Sequence, residues 1–233
     1  MMKITKIGNV YQLSFMPRFF PVNCYFVEEK EGLTLIDCAL PYSSKHILAA
    51  AKKVNKPITR IVLTHAHDDH VGSLDALKEA LPHAPVYISR RDSRLLKGDT
   101  GLESGEPDTP IRGGVPKKII TKPDILLEDG DEIGALLTIS TPGHTPGSLS
   151  FFDKNSRAII TGDALQTRGG VAVAGQLNPL FPFPAFATWN KELALNSANK
   201  LLELSPYVLA VGHGKMITDP AGLMKKAIER SQK

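Results

Sequence analysis

The chain has 233 residues, 42% of them apolar and 22% charged, with a net charge of +4. That balance suits a globular protein with a substantial core, and no run approaches the roughly 18–20 consecutive apolar residues that a membrane span needs. Its 28 basic residues are scattered among 24 acidic ones, with no basic block or interleaved aromatics, so neither nucleic acid nor a membrane is expected as a partner.

The N-terminal stretch alternates like a strand rather than forming a signal peptide, and a cytoplasmic protein of one domain, 1–233, is the expectation. Apolar runs at 4–15, 22–27 and 33–36, parted by Pro17, Pro21 and a turn at 30–32, read as antiparallel strands. Asp37 closes the third run. An acid there can cap a turn or hold a metal-binding histidine from behind, and the second role is expected. Cys24 and Cys38 lie within apolar runs and are expected as buried free thiols. Over 41–54, Ile47, Ala50, Ala51 and Val54 recur at helical spacing, which predicts an amphipathic helix with His46 partly exposed beside the stripe.

A strand at 60–63 then delivers Thr64-His65-Ala66-His67-Asp68-Asp69-His70. The chain holds only seven histidines, so three within six positions is a poor match to chance. Neutral imidazole with carboxylate is a donor set for zinc, iron and manganese. Ser73 is the expected N-cap of the next helix, whose apolar face is Leu74, Leu77 and Leu81, so the cluster occupies a strand-to-helix loop. A strand at 86–88 and a short helix at 89–96 follow, with His83 in a turn. Residues 97–118, rich in glycine and proline, are expected as a long excursion bordering the site.

Strands at 124–127 and 133–140 lead to Thr141-Pro142-Gly143-His144-Thr145-Pro146-Gly147, a tight loop that displays one histidine. Strands at 149–152 and 158–161 lead to Gly162-Asp163. Residues 169–187 combine glycines with Pro179, Pro182, Pro184, Leu180, Phe181, Phe183 and Phe186, and can be neither a regular helix nor a central strand. With Gln166 just before it, this segment is read as an apolar substrate wall; a homodimer contact is the other use open to it. Thr188 is expected to cap a helix to 204, buried through Ala194, Leu195, Ala198, Leu201 and Leu202. A strand at 207–211 ends in Gly212-His213-Gly214, and Asp219 and Pro220 open a last helix.

Five histidines and two aspartates therefore stand at four strand ends: His65, His67, Asp69, His70, His144, Asp163 and His213. One ion cannot use seven ligands, but two can if a carboxylate bridges. The ordered run of His-x-His-x-Asp-His, Thr-Pro-Gly-His-Thr-Pro-Gly, Gly-Asp and Gly-His-Gly resembles the metallo-β-lactamase superfamily over nearly the whole chain. The resemblance implies an α+β fold, a four-layer αββα sandwich of two mixed β-sheets flanked by helices, with the site at one edge between the sheets. It implies His65, His67 and His144 on a first divalent ion, Asp69, His70 and His213 on a second, Asp163 bridging, and Asp37 in support. Zinc is the expected metal, with iron and manganese as alternatives.

By the same resemblance the activity is hydrolysis of a small ester, thioester or lactone through a metal-bridging hydroxide. Asp69 is the expected catalytic proton shuttle, and the side chain of Asp68 is expected to serve the turn or to support the ligands from behind. Glyoxalase II and the N-acyl homoserine lactone lactonases are similar members, with Gln166 standing where the lactonases carry a tyrosine. Persulfide dioxygenases share the fold and much of the motif. They imply the alternative, a mononuclear non-haem iron on His65, His144 and Asp163.

Overall fold

The computed structural model describes residues 2–232. Seven strands form the first sheet: β1 (Met2–Ile7), β2 (Val10–Phe15), β3 (Val22–Glu28), β4 (Leu33–Ile36), β5 (Ile58–Val62), β6 (Val86–Ser89) and β7 (Ile125–Leu127), in that order. Neighbours are antiparallel up to β4 and parallel from there on. Downstream come β8 (Glu132–Ile133), β9 (Leu136–Ser140), β10 (Leu149–Asp153), β11 (Ala158–Ile160), the small pair β12 (Leu165–Gln166) and β13 (Ala172–Val173), β14 (Val208–Ala210) and β15 (Ile217–Thr218). The second sheet runs β15-β14-β11-β10-β9-β8 and is also mixed, because β11 and β14 are parallel.

Three apolar layers separate four layers of structure. On the outside of the first sheet, Leu13, Phe26, Leu35 and Ile61 pack against Ile47 and Ala50 of α1 (Ser44–Val54). The short α2 (Asp68–Val71) and α3 (Leu74–Ala80) complete that layer through Val71, Leu74 and Leu77. Between the sheets, Val10, Tyr25, Ile36 and Val62 meet Leu136, Phe151, Ile160 and Ala210. Past α4 (Asp92–Leu95) and α5 (Phe183–Phe186), the long α6 (Lys191–Glu203) and α7 (Ala221–Ser231) cover the second sheet with Ala198, Leu201, Met224 and Ile228. This is the αββα sandwich. Its central strand β4 is buried at every position, so three of its four residues are apolar and the fourth, Thr34, donates its hydroxyl to Glu29 at 2.9 Å. Truncating Leu35 there to alanine would cost about 2–5 kcal/mol.

Local chemistry departs from the sequence expectation at several points. Residues 4–15 are two strands, with Ile7 paired to Val10 around Gly8 at φ +58; a two-residue turn beginning on glycine is a hairpin signal. Residues 133–140 likewise fold back, Ile133 pairing with Leu136. Ser73 occupies the N-cap position of α3 as expected, but its hydroxyl does not cap the helix: it donates to the Leu40 carbonyl and accepts from the Ser43 N–H. Helix α6 is capped by Asn190, which accepts from Leu193 N–H at 2.9 Å, rather than by Thr188. Pro220 occupies the N-cap position of α7 with no side-chain cap. Cys24 and Cys38 are buried and free, as expected. Among the described residues no helix is long and apolar enough to cross a membrane.

Candidate metal centre

Every one of the seven donor residues is carried by the segment that leaves a strand. β5 ends in the 64–70 turn, β9 in the 141–147 loop, β11 in Thr161-Gly162-Asp163 and β14 in Val211-Gly212-His213. Three overlapping groups of donors result: His65, His67 and His144; His65, His70 and Asp163; and Asp69, His70 and His213, the donor atoms of each lying within 4.8 Å of one another. His67 Nδ1 is 3.0 Å from His144 Nε2. Asp163 sits between the groups, with Oδ1 3.4 Å from His70 Nε2 and Oδ2 3.4 Å from His144 Nε2 and 3.1 Å from His213 Nε2. Asp69 Oδ2 lies 3.4 Å from His213 Nε2. Donors bonded to one tetrahedral ion at about 2.0–2.1 Å stand about 3.3–3.4 Å apart, so these separations fit cations lying between them.

The reason the donors face inwards is that each imidazole has its other nitrogen tied outside the cluster. His70 Nδ1 donates to Asp37 Oδ2 at 2.7 Å and His213 Nδ1 to the Pro21 carbonyl at 2.7 Å. His67 Nε2 donates to the Arg112 carbonyl at 3.0 Å. The Thr64 hydroxyl spends its proton on Asp37 Oδ2, so it accepts from His65 Nδ1 at 3.0 Å. The Thr188 hydroxyl spends its own on the Pro184 carbonyl, so it accepts from His144 Nδ1 at 3.2 Å. These contacts fix the tautomers. The free atoms are Nδ1 of His67 and Nε2 of the other four. Of these, His65 Nε2 and His70 Nε2, together with Asp163 Oδ1, are buried with no hydrogen-bond partner, a costly arrangement that a bound cation would relieve.

Charge divides the imidazoles. Burial, reinforced by the neighbouring rings, lowers the pKa of His65 well below its ordinary value, and burial lowers His67 as well. His144 is brought down to about 3, chiefly by burial. For His70 and His213 burial acts in the same sense, but Asp163 and the other facing carboxylates outweigh it and raise both. Asp163 in turn, against its own burial, is held well below the carboxylate range by His213 and His70. The centre thus keeps a buried anion among nitrogens, the environment that a cation requires.

Asp92 and Gly212, which motif reasoning passed over, help hold the centre together, beside the expected Asp37. Asp92, fully buried, accepts from Ala66 N–H at 3.0 Å, the Thr145 hydroxyl at 2.7 Å and Gly147 N–H at 2.8 Å. It thereby joins the loop of His65 and His67 to the loop of His144. Gly212 is required by close approach, since a Cβ there would stand 2.0 Å from Asp163 Oδ1 and 2.7 Å from His70 Cε1. Asp37 accepts from both Thr64 donors as well as His70, so it serves the turn and the imidazole together. Asp68 contributes to its turn through the backbone, its N–H donating to Gly114 O at 2.7 Å. No residue type announces the contacts of Asp92 and Gly212, which join segments far apart in sequence.

A cleft of about 390 Å³ opens over the donors, lined by Phe20, Asp69, Phe183, Pro184, Phe186 and the 113–114 backbone, among others. Part of the expected apolar wall is therefore in place. Phe181 is instead buried behind it, its ring 5.0 Å from Phe20 and 5.3 Å from His213. Leu180 is 76% exposed and outside the cleft lining, and Gln166 is buried, donating to the Phe181 carbonyl at 3.2 Å. Neither faces the donors. Phe20, absent from the sequence expectation, comes from the loop between β2 and β3. Residues 97–118 do border the site, through Arg112, Gly113 and Gly114.

The family model of the metallo-beta-lactamase superfamily matches residues 17–213. The chain belongs to that superfamily. Among curated proteins, this superfamily member is 57% identical over 232 residues to YobT of Bacillus subtilis (strain 168), covering 100% of both chains. It is 33% identical over 220 residues to the probable metallo-hydrolase YflN of the same organism, covering 84% of this chain and 81% of the relative. Among solved structures, TTHA1623 in a di-iron-bound form is 29% identical, with a TM-score of 0.66, over 89% of this chain and 93% of that one. At the level of the family, this is a metal-dependent hydrolase.

Proposed function

We propose that the chain hydrolyses a small, partly apolar ester, thioester or lactone, using two divalent cations held by the seven donors. The observation that carries this reading is the wiring of all five imidazoles, each with one nitrogen tied outwards and the other left facing the cluster of donors. His65, His67 and His144 would hold one cation and Asp69, His70 and His213 the other, with Asp163 between. Bound there, two cations supply a hydroxide near neutral pH and polarise a carbonyl oxygen. Asp69, part-exposed at the mouth of the cleft, would carry the proton to the leaving group. Phe20, Phe183 and Phe186 would bind the apolar part of the substrate and exclude water. Zinc is the first candidate metal, and the di-iron form of TTHA1623 supports iron as the second.

The Asp69, His70 and His213 group favours this reading over a mononuclear iron dioxygenase, which has no use for it. The test is a panel of esters, thioesters and lactones offered to the metal-loaded protein, beside oxygen uptake on a persulfide. Hydrolysis of one class, lost in Asp163→Ala, is expected. One iron per chain with oxygen uptake and no hydrolysis would overturn it.

A further inference from the structure

Behind the metal centre lies a second hollow of about 850 Å³ that the hydrolytic reading does not use. The two back onto each other, since Phe20 and His213 line the cleft over the donors while Pro21 and Gly214 line the second hollow. Its origin is visible in the alternation of β2. Val10, Gln12 and Ser14 share one face, and Val10 belongs to the core between the sheets. Gln12 and Ser14 therefore point into the same inter-sheet space, where apolar side chains are the rule. Across β1 the paired residues are Lys3 opposite Ser14 and Thr5 opposite Gln12. The sheets part at this end, and the gap is floored with polar groups.

The walls of the gap are of one sign. Lys3 and Arg18 stand on the side of the first sheet, and Arg168 and Lys215 on the other, with no carboxylate in the lining. None of the four makes an ion pair among the described residues. Arg168 is oriented by its donation to the Arg18 carbonyl at 2.8 Å, and its Nε is buried without a partner. Ser14, only 6% exposed, lines the hollow and carries no side-chain hydrogen bond among the described residues. Gln12, 3% exposed, is fixed beside it by donating to the Tyr25 hydroxyl and the Gly214 carbonyl. A concavity whose charged lining residues are all cations focuses positive potential and gathers counter-anions. Its volume is that of a small-molecule site.

We propose that this hollow binds a small organic polyanion, a phosphate-bearing molecule with a charged group at each end. Each wall supplies an arginine, whose guanidinium matches phosphate geometry, and a lysine. Ser14 donates from the floor. Nucleic acid fits less well, because the four cations line one concavity rather than follow a stripe. The site is independent of which bond the metal centre cleaves, so failure of the hydrolysis panel would leave it standing, and the converse holds.

The experiment is calorimetric titration of the metal-loaded protein with fructose 1,6-bisphosphate, with fructose, inorganic phosphate and a short single-stranded DNA in parallel. One bisphosphate per chain is expected, with no heat from fructose and weaker binding of phosphate. Lys3→Gln combined with Lys215→Gln breaks no side-chain hydrogen bond, and should weaken binding about tenfold or more. Arg168→Gln should do the same, while Asp163→Ala leaves the affinity unchanged. Absence of binding at millimolar bisphosphate would overturn the proposal, as would indifference to the lysine pair. Loss of binding in Asp163→Ala would place the anion on the metals instead. DNA binding much tighter than bisphosphate, through the same lysines, would replace the small molecule by nucleic acid.

Discussion

Replacing Asp37 by asparagine isolates the hydrogen bond that orients His70. The position has φ +61, a left-handed conformation that asparagine tolerates, so the backbone need not move. In the native chain Oδ1 accepts from Thr64 N–H at 2.8 Å, and Oδ2 accepts from the Thr64 hydroxyl at 2.8 Å and His70 Nδ1 at 2.7 Å. An amide has only one acceptor oxygen. If that oxygen keeps the backbone N–H, the amide nitrogen faces His70 Nδ1, whose proton must move to Nε2, the atom aimed at Asp163. If it turns the other way, a buried amide nitrogen meets a buried N–H. Either arrangement leaves one buried polar group opposed, at about 1–3 kcal/mol. The first arrangement also removes the donor at His70, for which losses of about 10–100-fold in metal affinity are typical. Urea unfolding of the metal-free protein would read the first quantity, and competition with a chromophoric chelator the second. A variant that is destabilised yet binds metal with native affinity would refute the orienting role and leave Asp37 as a turn residue.

Gly212→Ala should lower metal affinity and leave a folded chain, because its Cβ would displace Asp163 and His70 rather than core side chains; circular dichroism beside the same chelator competition checks this. Phe186→Ala, at a 65% exposed position lining the cleft, should change stability by no more than about 0.5 kcal/mol while raising KM for apolar substrates. Glu28 meets Lys6 and Lys56 at 3.1 Å each and accepts from Tyr11 at 2.9 Å, which together lower its pKa to about 2. A depressed carboxylate pKa contributes stability that is complete above the unfolded value near 4.5 and is lost as pH falls towards 2. Glu28→Gln should therefore be less stable than the native chain at pH 7, by no more than about 1 kcal/mol because water screens the pairs. The difference should shrink on acidification, as urea midpoints across that range would show.

The sequence carried the donors because their chemistry is rare. His65, His67, Asp69, His70, His144, Asp163 and His213 all follow apolar strand runs, and only a shared sheet edge makes sense of histidines so placed. Of the partners of those donors, Asp37 behind His70 was legible and the rest were not. Pro21 and Arg112 act through backbone carbonyls, which every residue possesses. Thr188 looked like a helix cap because threonine usually serves there, but its hydroxyl is committed between Pro184 and His144 while Asn190 caps α6. Asp92 gathers donors from 26, 53 and 55 residues away, distances at which local pattern says nothing. The two hairpins at Gly8 and Gly134 carried a signal, a glycine inside an apolar run, that yielded to the longer strand pattern around it.

The most direct test of the centre is metal stoichiometry by elemental analysis of the chain purified without chelator, alongside Asp163→Ala. Two divalent ions per chain, falling in the variant, are predicted. A single ion per chain, or a native complement in Asp163→Ala, would contradict a binuclear centre built around Asp163.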